Sequence, residues 1–113
     1  MADDCVFCRI VRGEIPAKLL TNTADCVAFR DLDPKAPVHI LVIPKKHIAS
    51  LDDLTDPDLA GKMTMLATAL ARQEGIATTG YRTVMNTGPD GGQSVAHIHL
   101  HLLGGRQMTW PPG

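Results

Sequence analysis

The segment His97-Ile98-His99-Leu100-His101 places three imidazoles at alternate positions. On an extended strand this alternation projects all three onto one face, roughly 6.7 Å apart, while Ile98, Leu100 and Leu102 anchor the other. A neutral imidazole is a nucleophile near neutral pH, and its charged form donates hydrogen bonds to anionic oxygens. One histidine can therefore attack an electrophile while its neighbours bind a phosphoryl group and move protons. Two other readings fit the same spacing. Histidines two apart on a strand can share one zinc ion, or the row is a solvated polar face.

The preceding segment, Asn86-Thr87-Gly88-Pro89-Asp90-Gly91-Gly92-Gln93-Ser94, favours phosphate. Its glycines permit close backbone approach, consecutive N–H groups can line an anion cradle, and Gln93 and Ser94 add donors. Taken alone such a loop is an ordinary turn; its meaning comes from the histidines beside it. A second chemical signal is Cys5-x-x-Cys8, a metal half-site or a redox pair. Cys26 stands alone beside Val27-Ala28-Phe29 and reads as a buried inert thiol. An odd count of three cysteines argues against a disulfide framework.

These groups must be positioned by 113 residues, enough for one domain and one modest core. Apolar residues make up 44% and charged ones 20%, which excludes a disordered chain. With 11 basic and 12 acidic residues, nothing is built to grip a nucleic-acid backbone. The longest aliphatic run, Ile40 to Ile43, is far too short for a membrane span. The start, Met1-Ala2-Asp3-Asp4-Cys5, lacks the basic-then-apolar pattern of an export signal, so a cytoplasmic protein is expected.

Hydropathy patterning predicts a short helix over 5–12, with Val6, Ile10 and Val11 on its apolar side. Strands follow over 18–21 and 26–30, with a turn at 22–25. A stronger strand covers 38–43, with His39, Leu41 and Ile43 on one face and Val38, Ile40 and Val42 on the other. The helix 57–74 has Asp56 as its cap, Pro57 at its first position and Gly75 as its stop. Leu59, Met63, Leu66 and Leu70 form its stripe, and Met65 joins them as core or dimer contacts. Strands near 81–86 and over 97–103 complete an α+β chain with an antiparallel sheet. The Gly- and Pro-rich tail 104–113 is excluded from any central strand. Lys45 and Lys46 read as a solvated strand end.

The run from Gly92 through Leu103 resembles the histidine-triad signature, His-φ-His-φ-His-φ-φ, and the tail Gly104-Gly105-Arg106-Gln107-Met108-Thr109-Trp110-Pro111-Pro112-Gly113 is similar to that of the Hint branch of that superfamily. Ile15-Pro16-Ala17, the segment Asp31 to Pro37, and Pro44-Lys45-Lys46-His47 fit as well, so the resemblance spans nearly the whole chain. It implies a five-stranded antiparallel sheet with one long and one short helix, in a homodimer that joins two sheets into one.

It also implies a purine nucleoside phosphoramidase that cleaves the P–N bond of adenosine or guanosine 5′-phosphoramidates. On that pattern His99 is the nucleophile, His101 contacts the α-phosphate and His39 orients the array. Ser94 sits near the leaving amine; Gln93, Asn86 and the Val95 amide hold phosphate. Asp31 takes the ribose hydroxyls, and Phe7, Ile10, Phe29 and Leu32 enclose the purine. Trp110 reaches the partner's active site. No acid cluster suited to magnesium is apparent, so phosphate charge would be met by imidazolium and backbone donors. Glutamine replaces the third histidine in the nucleotidyltransferase branch; retaining His101 favours hydrolysis.

Some members of the superfamily bind structural zinc, and the matching residues here are Cys5, Cys8, His47 and His97. His97 would then be a fixed support for His99 and not a free acid or base. Two other functions stand beside the phosphoramidase. One is a dinucleoside polyphosphate hydrolase, disfavoured by the Trp-Pro-Pro-Gly tail; the other is a non-catalytic nucleotide sensor or adaptor.

Overall fold

The computed structural model describes residues 4–113; the start of the acidic amino-terminal stretch, Met1 to Asp3, lies outside them. A short helix α1 (Val6–Val11) leads into strands β1 (Leu19–Asn22), β2 (Cys26–Arg30) and β3 (Val38–Pro44). A 3-10 turn (Leu51–Asp53) precedes the long helix α2 (Pro57–Gln73), followed by β4 (Tyr81–Val84) and β5 (Leu100–Gly104). The strands form one antiparallel sheet in the order β1-β2-β3-β5-β4. This is the α+β architecture anticipated from the sequence. Among the described residues no helix is long and apolar enough to cross a membrane.

Alternation along β3 divides the molecule into two layers. Ile40 and Val42 pack with Leu100, Leu102 and the α2 residues Met63, Ala67 and Leu70. Leu41 and Ile43 face the other way, against Phe7, Val27 and Phe29. The central strand is buried on both faces, which explains its aliphatic run. Helix α2 begins where Asp56 accepts the Asp58 N–H at 3.0 Å, with Pro57 in its first position. It ends in a Schellman turn: Gly75, at φ 77°, lets Ile76 N–H reach the Ala71 carbonyl at 3.0 Å. Met65 stays exposed on α2, whereas Met63 is buried.

Three boundaries differ from the patterning. The last strand begins at Leu100, so His97 and His99 lie outside it. The reason is local bonding: the His97 carbonyl accepts from the His99 ring at 2.8 Å, and Ile98 N–H donates to Ile48 O at 2.7 Å. Strand β4 stops at Val84, before Asn86. Gly104, excluded with the tail, is the last residue of β5 and pairs with both Val38 and Tyr81; glycine suits that place because a Cβ there would stand 2.5 Å from Ile76 Cδ1. In α1 the inward residues are Phe7 and Cys8, while Val6 is exposed.

Candidate active site and metal centre

The layer of the sheet that faces α1 carries the histidines. Leu41 lies directly opposite His101, and His39 opposite Leu103, so His39 and His101 share that face across β3 and β5. Phe7 of α1 sets its ring edge-on to His99 and His97, with centroids 5.1 and 5.8 Å away. His39, His97 and His99 are all buried.

Hydrogen-bond partners select the tautomer of each ring. His99 Nδ1–H donates to the His97 carbonyl, which leaves Nε2 with its lone pair. His39 Nδ1 accepts from Lys35 N–H at 3.0 Å, so its Nε2–H donates to His101 Nδ1 at 2.9 Å. That in turn puts the remaining proton of His101 on Nε2, a buried atom with no partner among the described residues. A buried donor left alone costs free energy that an acceptor would recover. The His99 and His101 rings stand 5.0 Å apart, centroid to centroid, with their planes inclined by 60°.

Burial pushes His101 down to about 4, reinforced by His99 and His39 and opposed by Asp31. His39 is also held below the ordinary imidazole value, chiefly by burial, with Asp31 opposing and Lys35 assisting. His101 therefore rests as a neutral N–H donor. The charged imidazolium anticipated from residue type is not its resting form, because burial outweighs the carboxylate of Asp31.

Among the described residues two groups of side chains have the composition of a metal site, and they differ in fit. His97 Nε2–H donates to the Pro44 carbonyl at 2.8 Å, leaving the Nδ1 lone pair 3.3 Å from Cys5 Sγ and 3.4 Å from Cys8 Sγ. His47 Nδ1 is 3.1 Å from Cys8 Sγ, and all four donor atoms lie within 4.8 Å of one another. Bond lengths in tetrahedral zinc put sulfur and nitrogen donors about 3.6 Å apart, so this set needs only slight expansion. Burial keeps His97 below its usual value and hence neutral, as a metal ligand must be. Asp31, His39 and His101 also cluster, with Asp31 Oδ2 3.4 Å from His39 Nε2. Here, however, His39 Nε2 carries a proton aimed at His101 Nδ1. That pair forms a relay and does not converge as ligands.

An apolar pocket of about 370 Å³ opens beside this layer, lined by Val6, Ile10, Phe29 and Leu32 together with Ile15–Lys18, Leu20 and Arg30. Three of the four residues assigned to a purine therefore meet there. Phe7 is not on the wall; it lies in the core, edge-on to Phe29 at 5.7 Å. Val6, expected on the apolar side of the helix, is exposed on the pocket wall. Its exposure beside Cys5 follows from the turn of α1, a signal that helical spacing contains but a six-residue helix makes weak. Asp31 uses Oδ1 to accept from Asp33 N–H at 2.8 Å, leaving Oδ2 toward His39.

The glycine-rich loop is held by Gln93. Its Oε1 accepts from Gly88 N–H at 3.0 Å, and its Nε2 donates to Ala49 O at 2.6 Å and Val95 O at 3.0 Å. The amide so engaged shapes the cradle and is not a free phosphate donor. Gly91 must be glycine, because a Cβ there would meet Thr87 O at 2.3 Å. Ser94 and Val95 line a shallow cavity of about 410 Å³ with Cys5 and His47. Asn86 is half-buried just beyond β4. Trp110 is 82% exposed, and Arg82 ties the tail to β4 through Thr109 O at 2.9 Å.

Comparison with known proteins agrees with this architecture. The HIT domain family matches residues 12–108. An uncharacterized HIT-like protein of Synechococcus elongatus is 54% identical, and one of Synechocystis is 45% identical, each over the whole of both chains. Among solved structures, a HIT family hydrolase from Legionella pneumophila superposes with a TM-score of 0.94 at 54% identity, covering 97% of this chain and 100% of that one. A histidine triad nucleotide-binding protein from Candida albicans gives a TM-score of 0.83 at 31% identity, over 96% and 83% of the two chains. The chain belongs to the HIT family and carries the fold of its hydrolases.

Proposed function

We propose that this protein is a hydrolase of the Hint type, a purine nucleoside phosphoramidase whose single HIT domain spans residues 1–113. The observation that carries the reading is the tautomer of His99: its Nδ1 proton is held by the His97 carbonyl, so Nε2 presents a lone pair. In the first step Nε2 attacks the α-phosphorus, a P–N bond to His99 forms, and the P–N bond to the amine breaks as the amine takes a proton. Water then attacks phosphorus, releases AMP or GMP and restores the imidazole. His101 Nε2–H, with no other partner among the described residues, donates to a phosphoryl oxygen; His39 holds His101 in that orientation through the 2.9 Å bond. The base occupies the pocket of Ile10, Phe29 and Leu32 with Val6, Asp31 faces the ribose, and Ser94 lies toward the leaving amine.

Zinc on Cys5, Cys8, His47 and His97 would supply a structural cross-link from α1 to the segment after β3 and to the triad. His97 would thereby become a fixed support whose carbonyl accepts the His99 Nδ1–H bond. The edge strand β4 and the exposed Met65 on α2 support a homodimer built through those elements, with Trp110 entering the partner's site. Light scattering is expected to report twice the 12.1 kDa chain mass, and a monomer would refute that arrangement.

The decisive experiment is release of a fluorescent amine from an adenosine 5′-phosphoramidate. His99→Ala should lower turnover by at least about 10³-fold while nucleotide binding persists. A variant retaining most activity would refute the nucleophile. AMP binding with no wild-type turnover would mean a nucleotide sensor.

A further inference from the structure

We propose that Gln93 is a positioning residue that couples the glycine-rich phosphate cradle to the metal cluster, through the segment that follows β3. The inference rests on the proposed function for the phosphate in the cradle and for the metal on the cysteines and histidines, but not on His99 as nucleophile.

Residues 44–49 run from the end of β3 toward the turn before α2, and their carbonyls serve the site. Pro44 O accepts from His97 Nε2–H at 2.8 Å, Ile48 O from the Ile98 N–H at 2.7 Å, and Ala49 O from Gln93 Nε2 at 2.6 Å. His47, within the same stretch, sets its Nδ1 3.1 Å from Cys8 Sγ. One segment thus carries a candidate metal ligand, holds the backbone between His97 and His99, and anchors the cradle. Beyond Pro44 it belongs to no strand or helix. Its carbonyls are therefore placed by these few bonds and by whatever fixes the His47 ring.

Gln93 is the link because its amide is fully engaged. One Nε2 proton goes to Ala49 O and the other to Val95 O at 3.0 Å, while Oε1 accepts the Gly88 N–H at 3.0 Å. The backbone closes the same loop, with Gln93 N–H donating to Gly88 O at 3.0 Å. The amide therefore ties together the start of the cradle, its end and the segment behind it. A shift of His47 is passed to Ala49, two residues on, and from there to Gly88 and Val95. Such coupling is reciprocal: a metal that alters the hold on phosphate is itself altered when phosphate binds.

Two other routes join nucleotide to metal, and each gives a different response. Helix α1 carries Cys8 together with Val6 and Ile10 of the base pocket, so the base alone would act through it. The His99 ring donates to the His97 carbonyl, so phosphate at His99 would act there without Gln93.

The test loads the protein with cobalt(II), whose visible bands report the geometry of a thiolate and imidazole site, and titrates it with AMP or adenosine. A saturable change in the bands is expected with AMP and little change with adenosine, which lacks the phosphate. Equal changes with both would assign the response to α1 and overturn the proposal, as would a protein that takes up no metal. Gln93→Met keeps the side-chain length and removes its hydrogen bonds. In this variant AMP should bind about tenfold more weakly, and at saturation the bands should stay unchanged. A response that survives there would run through His99 and His97 and overturn the proposal; so would an unchanged AMP affinity. Gln93→Glu, which keeps the Gly88 bond and loses both donations, gives the same reading if methionine disturbs folding. Bands that respond to AMP through Gln93 in a protein that turns over no phosphoramidate would uphold the coupling and refute the phosphoramidase reading.

Discussion

His97 and His39 are both buried imidazoles in the same layer, yet they turn opposite nitrogens to their neighbours. The Pro44 carbonyl takes the Nε2 proton of His97 and exposes the Nδ1 lone pair to two thiols. The Lys35 N–H occupies Nδ1 of His39 and sends the Nε2 proton toward His101. A carbonyl beside an imidazole prepares a ligand or a nucleophile; an amide N–H prepares a donor. Backbone chemistry next to each ring therefore separates a metal cluster from a proton relay, although both contain two histidines and anionic or thiol companions. His99 joins the two, because its Nδ1 proton rests on the carbonyl of a metal-cluster residue while its ring contacts the relay.

The largest effect that would break this division lies in the metal cluster. Cys8→Ser should reduce bound zinc from about one equivalent to below a tenth, and lower stability by about 3 kcal/mol or more, near 10 °C in Tm. Metal analysis of protein purified without chelator, followed by calorimetry, checks it; unchanged metal content and Tm would dissolve the distinction. A smaller effect on stability, confined to chemistry, is expected from the relay. His101→Gln should cost about 10²-fold in turnover and leave zinc content unchanged. Loss of zinc in this variant would mean that the two clusters are one.

The smallest effect is a pH dependence that sharpens the comparison. An unfolded imidazole titrates near 6.5, whereas folded His101 is pushed down to about 4. Above 6.5 both states are neutral and the fold incurs no penalty. Between 6.5 and 4 the unfolded chain binds a proton that the folded chain refuses, so stability falls as pH falls. His39 shifts in the same direction. Urea denaturation at stepped pH should show this loss in wild type and a weaker one in His101→Gln; a flat profile would contradict neutral burial of the relay.

Much of the scaffold was legible because its signals are local. The α2 cap, stripe and stop, and the alternation of β3, are carried by neighbouring residues, so their boundaries fell within a residue of the observed ones. The triad was legible for its residue types but not for its backbone. His97 and His99 look like strand residues, yet the carbonyl that a ladder would use accepts from His99 instead. Gly104 carries a local signal against a central strand, whereas its reason for being glycine, Ile76 in the space of a Cβ, is a long-range packing contact that no local pattern contains.

The sequence by itself determined which chemical groups are available: three alternating imidazoles, a C-x-x-C pair, a glycine loop and a near-neutral charge balance. Those are properties of side chains and of short-range geometry. Tertiary structure alone decided which nitrogen of each imidazole holds its proton, that Gln93 shapes its loop, and that Phe7 supports the histidines from the core. The partners that make those choices, Lys35, Pro44, Ala49 and the His97 carbonyl, are backbone groups present in every sequence, and only folding brings a particular one within 3.0 Å of a particular ring or amide.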